Sequence, residues 1–269
     1  MSELRRLAVA GLVALGWIGL VACDVVVGGL GNLDKLGGRA SETWTRTYPL
    51  DTGGRIQVIN TNGKIEVEAY DGASVEVKAE KLARAMTEEA AKEILKQVEI
   101  KDEASAEQIR LETKQQRRFS GGSLEVKYHL RVPLNAKVNL ETTNGGIEVV
   151  GVRGEVRAET VNGGVVGRQL GSAITASSVN GGLVIDVATV AADIKLDTTN
   201  GGIRLTLPET GKADISARVT NGGIRVSDLE LDQVREKSRR RLEARLNGGG
   251  PKIDLETTNG GIRISARSQ

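Results

Sequence analysis

Three arginines share one local address. Arg204, Arg225 and Arg263 each stand four residues after an asparagine that opens an Asn-Gly-Gly. If the repeats stack, the three would form a basic stripe on one face. Three residues before such asparagines stand Glu141, Glu159, Asp197 and Glu256, and paired carboxylates are the machinery of glycoside hydrolysis. Like charges stacked on neighbouring strands cost roughly a few tenths of a kcal/mol per pair. Two readings of these columns stay open: a ligand-contacting face, or ordinary surface charge that keeps the protein soluble. Other chemistry finds no support. His129 is the only histidine and there is one cysteine, so a His-based triad and a Cys/His metal cluster are not expected. No cofactor is expected either. The net charge of +2 calls for no nucleic acid partner.

The cysteine, Cys23, carries chemistry of its own. Arg5 and Arg6 precede an uncharged apolar run, Leu7 to Ala22, which ends in Leu20-Val21-Ala22-Cys23. The run is short for a membrane span of about 20 residues and fits a signal-peptide core. Its end resembles the bacterial lipobox. That resemblance implies cleavage before Cys23, a diacylglycerol thioether on its sulfur and an acyl group on its new amine. More than one chain matters, because a single acyl chain anchors only marginally. The expected organisation is a lipoprotein signal peptide over 1–22, a Gly-rich flexible tether over 23–41 and a folded domain over 42–269. The expected partner at this end is a membrane, reached through lipidated Cys23.

Positioning the charged columns requires a repeat. Asn62, Asn144, Asn162, Asn180, Asn200, Asn221 and Asn259 each precede one or two glycines, and from Asn144 to Asn221 the steps are 18, 18, 20 and 21. Apolar residues recur six and four positions before each Asn (Ile194 and Leu196, for example) and three and five after it (Ile203 and Leu205). Polar residues alternate with them, the period-two signature of strands with one buried face. Asn-Gly between such strands is a strong hairpin signal. It is equally a corner of a parallel β-solenoid, where each Asn would share amide hydrogen bonds with the next coil. The gapless alignment, the insistence on Asn and the nearly aromatic-free composition (2%) favour the solenoid. The fold expected is therefore all-β, a parallel solenoid of roughly 18–21-residue repeats. A phosphate loop would need a helix after its glycines, and here Ile-x-Val strands follow. Calcium-binding repeats would need GGxGxD, which is absent from the sequence. The glycines are expected to turn corners.

Two segments break the repeat. About 84–99 reads as a helical insertion, with Thr87 as its cap and Ala90, Ala91, Ile94, Leu95 and Val98 on one face, packed on the N-terminal strands or closing the stack. About 229–250 reads as an irregular basic insertion that fills the 38-residue step from Asn221 to Asn259, with part of a missing rung near Leu242, Ala244 and Leu246. The strand at 262–266 lies near the chain end, where a weakly capped solenoid could stack on another.

The recurring T-x-NG-x-I-x-V units, the early helical insertion and the stretch LNGGGPKIDLETTNGGIRI (Leu246 to Ile264) resemble the adhesin-like family built around domain of unknown function 4097, from about Glu42 to Ala266. The resemblance implies a β-solenoid of the bacterial envelope and implies little chemistry. The lipobox lies outside that domain. The function expected is a lipid-anchored, non-enzymatic adhesin or binding scaffold, with a glycan or protein ligand on a solenoid face. The alternatives are a periplasmic accessory protein of envelope stress signalling or structure, and, third, a polysaccharide-acting enzyme.

Overall fold

A computed structural model describes residues 37–115 and 121–267. Cys23, the signal-peptide segment 1–22 and most of the tether segment 23–41 lie outside them. In chain order the elements are β1 (Gly38–Pro49), β2 (Arg55–Ile59), β3 (Ile65–Tyr70), β4 (Ser74–Ala85), α1 (Glu88–Lys96), β5 (Val98–Ala104), β6 (Gln108–Gln115) and β7 (Gly122–Pro133). The regular repeats follow: β8 (Lys137–Asn144), β9 (Ile147–Val150), β10 (Val156–Asn162), β11 (Val165–Leu170), β12 (Ile174–Asn180), β13 (Leu183–Val187), β14 (Ile194–Asn200) and β15 (Ile203–Leu207). The chain closes with β16 (Ala213–Asn221), β17 (Ile224–Ser227), β18 (Leu231–Lys237), β19 (Arg241–Leu246), β20 (Lys252–Asn259) and β21 (Ile262–Ala266). β1 already begins at Gly38, so the end of the stretch read as tether is strand.

The strands form a two-sheet parallel β-solenoid. Each rung gives one strand to each sheet, and the Asn-Gly corner joins them. Sheet A runs β1-β4-β7-β3-β9-β11-β13-β15-β21-β17 and sheet B runs β18-β19-β16-β20-β14-β12-β10-β8-β2-β6-β5. Rung pairs match residue for residue, as in Ile174↔Ile194 and Asn180↔Asn200. The alternation dictates this, because a one-residue slip would turn every apolar side chain to solvent. The four inward columns fill the space between the sheets. All of their side chains are buried except Ile224 and Val226, at the end of sheet A.

Sequence order and spatial order part company at both ends. The rung β2/β3 lies between β6/β7 and β8/β9, and the rung β20/β21 lies between β14/β15 and β16/β17. The 38-residue step is therefore no missing rung. After β17 the chain crosses to sheet B, where β19 pairs antiparallel with β16, and β18 antiparallel with β19. It then returns to insert β20/β21. Leu242, Ala244 and Leu246 are buried as the pattern demanded, but as a cap. The strand at 262–266 is interior, and β17 is the edge of sheet A.

At the opposite end β4 and β1 extend sheet A antiparallel, and β5 covers β6. The hydroxyl of Tyr48 on β1 donates to Asp102 Oδ2 on β5 at 2.6 Å, which ties the two sheet edges together. The helix is shorter than the segment 84–99, whose ends belong to β4 and β5. Thr87 caps it by accepting from the Ala90 amide at 3.2 Å. Ala91, Ile94 and Leu95 are buried against β1, β4 and β7, while Ala90 stays exposed.

Candidate functional site

The corner is the device that aligns everything else. The seven asparagines form one continuous ladder, with Asn144, Asn162, Asn180 and Asn200 each donating Nδ2 to the Oδ1 of Asn62, Asn144, Asn162 and Asn180 at 2.7–2.9 Å. Asn259 donates to Asn200 at 2.8 Å and Asn221 to Asn259 at 2.9 Å, so the ladder follows the spatial order of the rungs. Beside it runs a second ladder that the sequence reading missed. The hydroxyls of Thr160, Ser178, Thr198 and Thr257, two residues before their Asn, donate to the first-glycine carbonyl of the neighbouring rung at 2.8–2.9 Å. The recurring T-x-N was its visible signal. The first glycines are needed for stacking more than for turning. Only Gly63 and Gly222 among them have positive φ. A Cβ on Gly145, Gly163, Gly181, Gly201 or Gly260 would sit 1.9–2.1 Å from a carbonyl oxygen of the next rung.

This register places side chains of one column one strand spacing apart, about 4.8 Å. Arg204 on β15 pairs with Arg263 on β21, and Arg263 with Arg225 on β17. The three predicted arginines thus stand in one row on the outer face of sheet A, with Arg263 in the middle. A fourth, Arg239, reaches the row from the loop between β18 and β19. Its side chain lies over Gly223, and a Cβ there would be 3.6 Å from Arg239 Cγ. The four line a groove of about 600 Å³ floored by Gly202, Gly223 and Gly261. None of the four guanidinium groups has a hydrogen-bond or ion-pair partner among the described residues. On the same outer face, two residues further along each strand, stand Thr206, Ser265 and Ser227, also in register.

A second groove on sheet A, about 680 Å³ and lined by Glu66, Glu76, His129, Arg131 and Glu148, differs in kind. Most of its charges are matched by neighbours. Lys64 bridges Glu148 at 2.7 Å and also meets Glu66, Arg168 meets Glu148, and Arg131 meets Glu76 at 2.9 Å. Hydrogen bonds from Lys64 and Arg168 hold the Glu148 carboxyl below the usual carboxylate range, and the two glutamates hold the Lys64 ammonium above the usual lysine value. His129 Nδ1 lies 2.5 Å from Glu66.

The acidic column lies on the outer face of sheet B. Glu141 pairs with Glu159, Ser177 interrupts, and Asp197 pairs with Glu256. Glu141 accepts from Asn139 at 3.1 Å, and Glu159 is bridged by Arg157. Beyond Glu256 the column turns basic with Arg218 and Arg241.

No curated protein matches the chain. Several solved structures do. One, from Clostridium sporogenes and provisionally named a cell adhesion protein, is 14% identical over 84% of this chain and 100% of its own, with a TM-score of 0.44. A provisionally named adhesin from Bacteroides fragilis is 10% identical over 84% of this chain and 97% of its own, with a TM-score of 0.32. A provisionally named lipid binding protein from Parabacteroides distasonis is 10% identical over 82% of this chain and 96% of its own, with a TM-score of 0.28. Residues 132–265, the regular rungs with their C-terminal cap, match the model of the family described as Toastrack DUF4097, and through them the chain belongs to that family.

Proposed function

We propose that this protein is a non-enzymatic binding scaffold of a bacterial cell envelope, anchored through lipidated Cys23, that engages an anionic ligand on the outer face of sheet A. The observation that carries this reading is the in-register row Arg204–Arg263–Arg225, extended by Arg239 and left without partners. Guanidinium groups repel one another when stacked. A carboxylate or phosphate laid across them would remove that repulsion and add charge-assisted hydrogen bonds. The acidic column supports catalysis poorly: its members lie in a row on the outward face of a sheet, and two of them are already engaged, Glu141 by Asn139 and Glu159 by Arg157.

The test is protease accessibility on intact cells, comparing wild type with Cys23→Ser. The expected result is that wild type fractionates with membranes and is shaved from intact cells, whereas Cys23→Ser leaves the membrane fraction. Protection until the outer barrier is opened would move the protein to a periplasmic accessory role. Firm membrane retention of Cys23→Ser would overturn the lipid anchor.

A further inference from the structure

We infer that the arginine row, if it is the anion-binding face proposed above, takes a linear acidic polysaccharide carrying one carboxylate per sugar, laid along the solenoid axis. The first argument is spacing. Arg204, Arg263 and Arg225 repeat at the strand separation of about 4.8 Å, which is close to the length of one sugar in an extended chain. Carboxylates of a polyuronate recur along the chain at about that step and turn about its axis, so those on the protein side would meet guanidinium forks of the row, which Arg239 extends past the last rung.

The second argument is the neighbouring column. Each arginine has a hydroxyl two residues on: Thr206 beside Arg204, Ser265 beside Arg263 and Ser227 beside Arg225, matched across the strands. None of these hydroxyls has a hydrogen-bond partner among the described residues. Each of these three rungs therefore offers one cation and one hydroxyl on the same face, which can meet the carboxylate and one hydroxyl of a uronic acid residue. The third argument is what the groove lacks. Among the described residues, no aromatic one lines it. Neutral sugars that bind by stacking have no platform there, and neither do nucleobases.

Position argues against lipid headgroups as the source of the anion. β17 stands at the far end of sheet A from β1. Nine strand spacings of about 4.8 Å put the row roughly 40 Å from the strand that follows the proposed anchor.

The experiment is calorimetric titration of the folded domain with oligogalacturonates of one, two, four and six units. Anionic phosphatidylglycerol vesicles, dextran sulfate and neutral dextran serve as comparators. Variants are Arg263→Gln, Arg204→Gln and, as a control on the opposite sheet, Lys195→Gln, each checked for an unchanged melting curve. The inference expects affinity to rise with length up to about four units and then level off. It also expects Arg263→Gln to weaken tetramer binding by about tenfold or more, the scale of one charge-assisted contact, with Lys195→Gln neutral. Binding of vesicles or dextran sulfate that depends on Arg263, with no binding of the oligouronates, would overturn the carboxylate-bearing polysaccharide and leave the anion site standing. Failure of every anionic probe, or binding indifferent to Arg263 and Arg204, would overturn both.

Discussion

Gly181 and Gly182 are adjacent, and the fold asks different things of them. A Cβ on Gly181 would lie 2.0 Å from the Gly163 carbonyl oxygen, whereas one on Gly182 would lie 3.2 Å from the Gly202 oxygen. Gly181→Ala must push two rungs apart, at a cost of roughly 2–3 kcal/mol or more. Gly182→Ala needs only a slight shift and is expected to cost under about 1 kcal/mol. Urea unfolding midpoints would separate the two. The asparagines allow a parallel contrast. Asn180 both donates and accepts at 2.9 Å, but Asn62, at the end of the ladder, only accepts. Asn180→Asp sets a carboxylate oxygen against the Asn162 carbonyl and should cost about 1 kcal/mol at neutral pH. Asn62→Asp keeps its acceptor and should be close to neutral in the same assay. Tyr128 supplies a pH test. Burial pushes its phenol from 10.0 to about 12, against the opposing pull of its 2.8 Å bond to Thr113. A folded value above the unfolded one gives stability that is complete below pH 10 and is lost as pH rises towards 12. Alkaline unfolding curves of Tyr128→Phe should therefore fall less steeply over that window than those of wild type.

At the scale of elements, a rung is a replaceable unit in the middle of the stack and an irreplaceable one near its ends. Residues 155–172 carry one whole period, and their removal would bring β8 against β12 with Asn144 facing Asn180 in the existing register. That shortened protein is expected to melt cooperatively at a somewhat lower temperature. Removing residues 251–269, a similar length, takes away β20 and β21, the shared partners of β14 with β16 and of β15 with β17. Aggregation or a lost cooperative transition is the expected outcome, read by circular dichroism melting and size-exclusion chromatography. The two deletions also mark what could be read from sequence. Strand positions, corners and the asparagine ladder were legible because each rests on a local period. The order of rungs was not, because Ile253 and Leu255 fit beside Ile194 and Leu196 as well as Ile215 and Ala217 do. Local pattern could not say which rung is the neighbour. The arginine column was legible as a column, but its neighbours followed from the rung order, so Arg263 could not be put at its centre. Arg239 was out of reach, since it comes from a cap that the pattern presented as an irregular insertion.

At the scale of the whole molecule, the two ends are finished differently. The β1 end is closed on both sheets and pinned by the Tyr48–Asp102 bond, whereas the β17 end is closed by β18 and β19 on sheet B alone. Core residues Ile224, Val226, Leu229 and Leu231 are only partly covered there. Hydrogen exchange should rank accordingly: amides of β17 and β18 first, those of β10 to β15 last. Equal protection along the stack would contradict the account of the open end. The arginine row sits beside this open end, where its charge also discourages a second solenoid from adding to the edge. The interleaving of β20/β21 has a further consequence, for the order of folding. A chain that emerges from its N-terminus presents β16 to β19 before the rung on which they must rest. The growing chain can zip up as far as β14/β15, but its outermost rung must then wait, unsupported, for a later segment to slide beneath it. Final closure of the stack thus waits until Ala266 has emerged.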